Sequence, residues 1–166
     1  MTLATHAIVG AAAASLTPAR PLWGFILGFV SHFLIDAIPH WHYPLGSIEK
    51  DKANQLNNDM SVFDKKFPLD LFKMGSDALL GMLLSLFFFK AQYPYIFSAA
   101  FIGAVAGVLP DALQFVHMKW RHEPMISLQR FHLWIHAKKD LDDQTFRGVS
   151  YQILIIFISV VIAKLA

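Results

Sequence analysis

The chain has 166 residues, 55% hydrophobic and only 16% charged, with a mean hydropathy of +0.46. A soluble domain carries about a quarter charged residues, so this much apolar surface calls for lipid, or a very large partner, to cover it, while a formal net charge of +2 gives no reason to expect a nucleic-acid partner. The absence of cysteine excludes disulfides and thiolate metal sites.

In chain order, five apolar stretches predict membrane helices near residues 3–16, 22–38, 74–89, 95–113 and 149–163. Each is somewhat shorter than the ~20 residues of a full span. Several must therefore extend into flanking polar residues, tilt, or sit in a thinned bilayer. The first, short and Ala-rich, reads as a retained helix. A signal peptide is the alternative, disfavoured by the lack of a basic start and by His6 within the apolar run. Residues 17–21 and 90–94 are tight, proline-containing turns, whereas 39–73 and 114–148 are long and polar. Within the second long connection, 124–139 predicts an amphipathic helix entered at Glu123-Pro124. It would lie at the membrane interface or cap the bundle. Residues 54–73 are expected to be loop with short helical pieces.

The expected fold is therefore all-α: a single helical membrane domain over 1–166, with about five spans plus an interfacial amphipathic helix. Of the 14 Lys and Arg residues, all but Arg20, Lys90 and Lys164 lie in the long connections. By the positive-inside rule those connections face the cytoplasm of a multi-pass inner-membrane protein.

Chemistry-bearing residues gather at that same end. His6 starts the first span, His32 and Asp36 end the second, Asp77 starts the third, and Asp111 ends the fourth. Successive spans alternate in direction, so these positions share one side, and His132 lies on the interfacial helix. Residues four apart share a helical face. The resulting ladders are His6–Gly10–Ala14, Gly24–Gly28–His32–Asp36, Asp77–Gly81–Ser85 and Gly103–Gly107–Asp111. Small residues at this spacing let membrane helices approach closely, which turns the same faces, and their polar groups, inward. The second and fourth ladders are alike enough to suggest a weak internal repeat.

Ionised carboxylates in hydrocarbon cost several kcal/mol and repel one another; a divalent cation relieves both problems. Imidazole with carboxylate suits Zn²⁺ first, and also Mn²⁺ or Fe²⁺. His6, His32, Asp36, Asp77, Asp111 and His132 suffice for one or two ions, with Asp36 and Asp111 also the catalytic candidates. Arg121 and Arg130 are candidate phosphate donors, and His136, one turn from His132, is a candidate ligand or substrate-binding group. His40, His42, His117 and His122 sit beside Trp41, Tyr43 and Trp120 and read as interface residues, although His40 continues the Asp36 ladder. Asp140, Asp142 and Asp143 read as a solvated loop or a helix start. The competing interpretations of the polar set are a proton or ion pathway and structural polar pairing.

Thr5-His6, the segment Ser31-His32-Phe33-Leu34-Ile35-Asp36 followed by Pro39-His40, and Leu109-Pro110-Asp111 resemble the membrane-bound metal-dependent hydrolases of the YdjM type. That family is itself similar to zinc-dependent phospholipase C. The resemblance covers about the first 115 residues. It implies metal ligands at His6, His32, Asp36 and Asp111, and by looser matching at Asp77 and His132. It also implies hydrolysis of a phosphoester on a lipid or lipid-linked substrate, with a metal-activated water as nucleophile. The chain departs from the family pattern at Pro110-Asp111-Ala112-Leu113-Gln114, which lacks a second Asp and a His. His132-Leu133-Trp134-Ile135-His136 is the nearest counterpart of a later His-containing segment. Those departures keep open a small ion- or proton-translocating protein, or a structural membrane protein with a vestigial metal site.

Overall fold

All five apolar stretches fold as helices, and a sixth helix forms in the second long connection. The computed structural model describes residues 1–89, 94–139 and 141–166. Its helices are α1 (Leu3–Ser15), α2 (Pro21–Asp36), α3 (Phe67–Phe89), α4 (Pro94–Lys119), α5 (Met125–Ile135) and α6 (Thr145–Leu165). The only sheet among the described residues is the two-residue antiparallel pair β1 (Ile48–Glu49) and β2 (Asp59–Met60). The fold is all-α, as its composition and patterning predict.

Among the described residues three helices, rather than the expected five, are long and apolar enough to cross a membrane: α3, α4 and α6. At 1.5 Å per residue, the 13 residues of α1 and the 16 of α2 reach only about 20 and 24 Å. A hydrocarbon core is about 30 Å thick. α3 gains length by starting at Phe67, ahead of the expected 74. The polar first turn is tolerated because Asp70 is paired: the backbone and hydroxyl of Ser47 donate to its Oδ2 (2.7 and 2.8 Å), and Lys73 Nζ lies 3.3 Å from its Oδ1.

The short α1 is the hub of the bundle, packed against α2, α3, α4 and α6. Its composition explains the position. Ala7, Ala11, Ala12 and Ala14 are buried with Ile8 and Gly10, leaving almost no face exposed. A Cβ on Gly10 would overlap the Gly103 carbonyl, and one on Gly107 would overlap the His6 carbonyl. A Cβ on Gly81 would collide with Ala4, and one on Gly28 with Gly103. The small-residue ladders thus pack against one another, as the sequence predicts. The α1 amino end is satisfied by Thr2 Oγ1, which accepts from Thr5, and by Asp77, whose carboxylate accepts from Leu3 (2.6 Å) and Ala4 (3.3 Å). On the outside, Leu79, Leu80, Leu83 and Phe87 of α3 and Ile153, Leu154, Phe157 and Ile162 of α6 are exposed. Apolar faces this continuous need a non-aqueous surrounding.

At the polar end, two connecting segments are fastened together. Ala137 N–H donates to the Asp36 carbonyl (2.8 Å), Leu141 N–H to the His40 carbonyl (2.8 Å), and Gln152 Nε2 to the Trp41 carbonyl (2.9 Å). α5 ends at Ile135, short of the expected 139, with Gln129 and His132 buried and Trp134 outward. The region 54–73 contains a single-turn helix at Gln55–Asn57, as expected, and β2, whose pairing with the preceding β1 was not. Two-residue strands are too short to leave an alternating pattern. Apart from Pro94, the expected turn at 90–94 lies outside the described residues, as does Asp140.

Candidate metal centre

The last two turns of α2 set the first group of side chains. His32 and Asp36, four residues apart, face inward, with His32 Nε2 3.2 Å from Asp36 Oδ2. α1 brings His6, whose Nε2 is 3.2 Å from Asp36 Oδ1 and whose ring stacks on His32 at 3.9 Å. α5 brings His132, with Nε2 3.0 Å from Asp36 Oδ2 and 3.3 Å from His32 Nε2. α4 brings Asp111, each oxygen 3.9 Å from one imidazole, those of His6 and His32. His32, Asp36, Asp111 and His132 each offer a ligand atom within 4.8 Å of the others, so this group could hold a metal ion. The amino nitrogen of Met1 also lies 3.6 Å from Asp36 Oδ1. His6, His32, Asp36 and His132 are buried, whereas the Asp111 side chain is 27% exposed and opens the group to solvent.

The hydrogen bonds around this group leave specific atoms without partners. His32 Nδ1 lies 2.8 Å from the Gly107 carbonyl, which can only accept, so Nδ1 carries the proton. A neutral His32 then turns a bare Nε2 lone pair toward the Asp36 carboxylate. Both ring nitrogens of His6, and Asp36 Oδ1, are buried without a hydrogen bond. Each such orphan costs about 1–3 kcal/mol. A cation among His32, Asp36, Asp111 and His132 would relieve the repulsion between the facing lone pairs and give Asp36 Oδ1 a partner.

The structure also assembles three histidines: His40 and His42, expected at the interface, and His136, expected as a ligand or a substrate-binding group. His40 is buried, not interfacial. Its Nε2 lies 2.9 Å from His42 Nε2 and 3.6 Å from Asp36 Oδ1. The His136 ring packs on both, with centroids 4.9 Å from His40 and 5.5 Å from His42. One ring nitrogen from each of the three lies within 4.8 Å of the others, so this group too could hold a metal ion. Burial, with the nearby positive chain terminus, pushes the His40 imidazole down to about 3, and burial lowers His42 as well. Both rings are therefore neutral at neutral pH. Asp142, expected in a solvated loop, instead accepts from the His42 backbone (2.8 Å) and lies 3.1 Å from its Nδ1.

The remaining sequence candidates lie elsewhere. Asp77 stands outside both groups, its carboxylate committed to the start of α1. Arg121 donates to the carbonyls of Asn57 (3.1 Å) and Asn58 (3.4 Å), locking the loop that holds β2. Arg130 lines a separate surface groove of about 390 Å³ with Trp134 and Lys138. His117 is buried near the end of α4 and His122 is exposed, neither belonging to a metal-capable group among the described residues. Compared with known proteins, the chain matches no family, no curated protein and no solved structure.

Proposed function

We propose that this chain is a membrane-embedded, metal-dependent hydrolase of a phosphoester on a lipid or lipid-linked substrate, similar to zinc-dependent phospholipase C. The reading rests on one observation: His6, His32, Asp36, Asp111 and His132, from four helices, meet in a buried pocket with ligand atoms left unpaired. His32, Asp36, Asp111 and His132 would hold the ion, with His6 beside them. Zn²⁺ is the preferred ion for this mixed imidazole–carboxylate set, and Mn²⁺ or Fe²⁺ the alternatives. When bound, the ion supplies Lewis acidity for a phosphoryl oxygen and for water. Asp111, the exposed member, is placed to take a proton from an attacking water. The Asp36 carboxylate lies within 3.2 Å of a ring nitrogen of each of His6, His32 and His132, which gathers the three rings around one carboxylate. α3, α4 and α6 would cross an inner membrane, with α1 and α2 enclosed within its thickness, completing five helices in the bilayer. The pocket would face the cytoplasm, on the side rich in Lys and Arg.

Detergent-purified protein loaded with Zn²⁺ should cleave a nitrophenyl phosphodiester or a phospholipid. Turnover should follow metal content and vanish in Asp111→Asn. Full metal occupancy with no turnover across a broad phosphoester panel would reject hydrolysis.

One feature favours a second reading, a proton or cation path. A row of polar side chains runs from His6 and His32 through Asp36 to His40 and His42, with the His136 ring packed on His40. Proteoliposomes whose lumen acidifies in response to an imposed cation or pH gradient, in the absence of phosphoester turnover, would favour that path.

A further inference from the structure

We propose that His40, His42 and His136 form a second transition-metal site, distinct from the helical group and adjoining it through Asp36. The argument rests on proton positions and is independent of the hydrolase reading. His40 Nδ1 lies 2.6 Å from the Ile38 carbonyl, which must accept. His136 Nδ1 is likewise 3.1 Å from the Ala137 carbonyl. His42 Nδ1 is 3.1 Å from the Asp142 carboxylate. All three rings therefore carry a proton on Nδ1, and each in its neutral form offers Nε2 as a lone pair.

Two of those lone pairs, on His40 and His42, face each other at 2.9 Å. Two bare acceptors do not hold that distance without something positive between them. A shared proton would serve two of the three nitrogens and leave His136 unexplained. A single cation serves all three. Three neutral imidazoles, each with its other nitrogen donating to a carbonyl or carboxylate, make a zinc-type ligand set with its supporting hydrogen bonds already formed. Asp36 Oδ1, 3.6 Å from His40 Nε2 and without a hydrogen bond, is the nearest candidate for a fourth ligand. The ligand class is a borderline divalent cation that prefers imidazole: Zn²⁺, with Co²⁺ as its spectroscopic probe.

Metal content and cobalt spectroscopy on the full chain in detergent test this. Wild-type protein dialysed against Zn²⁺ should retain two equivalents. His42→Ala/His136→Ala should retain one, and so should His32→Ala/His132→Ala. The chain has no cysteine, so His42→Cys introduces a single thiolate. With Co²⁺ it should add a thiolate-to-cobalt charge-transfer band that wild type lacks. Asp142→Asn, which keeps the three ligands but weakens their support, should loosen one of the two equivalents by about 10–100-fold. Unchanged metal content in His42→Ala/His136→Ala, or a folded, cobalt-loaded His42→Cys without the band, overturns the second site. One equivalent lost only with His32 and His132 leaves the helical centre standing and rejects this one. One equivalent lost only with His42 and His136 supports this site and rejects the helical centre.

Discussion

The two imidazole groups are neighbours built by different means. His6, His32 and Asp111 ride on packed helices whose spacing is fixed by contacts such as Gly10 on Gly103 and Gly107 on His6. His40 and His42 sit on a connecting segment, and His136 just past the end of α5. Their positions depend on a few backbone bonds, from Ala137 to Asp36, Leu141 to His40 and His42 to Asp142. One group inherits the rigidity of a core; the other is held by clasps between two loops. Their common element is Asp36, whose Oδ2 faces His32 and His132 and whose Oδ1 faces His6 and His40.

That contrast can be broken at four places. The largest effect is expected at the shared residue. Asp36→Asn should empty both groups and destabilise the loaded protein by about 3–5 kcal/mol, the scale for removing one partner of a buried charge cluster. Elemental analysis with a thermal melt in detergent reads both, and retention of either ion would show that Asp36 does not unite them. Gly107→Val should come next, at about 3 kcal/mol, because its side chain overlaps the His6 backbone. It should lower metal content in the helical group and leave the loop group loaded. Gly148→Ala should cost about 1–2 kcal/mol, since a Cβ there meets that of Trp41, between His40 and His42. Here the loop group should weaken and the helical group persist; the same cobalt titration separates the two.

The smallest effect belongs to a site remote from both. Lys119 Nζ lies 2.6 Å from Asp59 Oδ1 at the surface. The lysine's hydrogen bond is the main cause holding the Asp59 carboxyl below its ordinary range. A carboxylate lowered in the folded state stabilises above its unfolded pKa of about 4 and loses that contribution as pH falls through the folded value. For an exposed pair the contribution is below about 1 kcal/mol. Lys119→Ala should flatten that acid limb of a stability-versus-pH curve and leave metal content unchanged.

The same contrast explains what the sequence made legible. His6, His32, Asp36 and Asp111 could be gathered from spacing because helical period and alternating span direction carry positions across long distances in the chain. His136 was marked by lying one turn from His132, but His42 and Asp142 follow no period, and the meeting of the three depends on how two loops bond to each other. His40 did carry a signal, as the next rung after Asp36, but its aromatic neighbours pointed to the interface. Asp77 shows the converse: its helix and face are as read, yet its oxygens serve the amino end of a neighbouring helix. The count of long spans differed for a related reason. The apolar runs of α1 and α2 read as spans, yet these helices hold only 13 and 16 residues, whereas α3 gains length from a polar first turn paired by Ser47 and Lys73.

The enclosure of α1 bears on biogenesis. Every described helix that surrounds it follows it in the sequence, and α6, one of its neighbours, comes after the other described helices. The face of the Ala-rich α1 that will meet α4 and α6 therefore stays uncovered until those helices are made. Nascent chains arrested before α6 should leave that face open to chemical labelling, and release of the complete chain should close it.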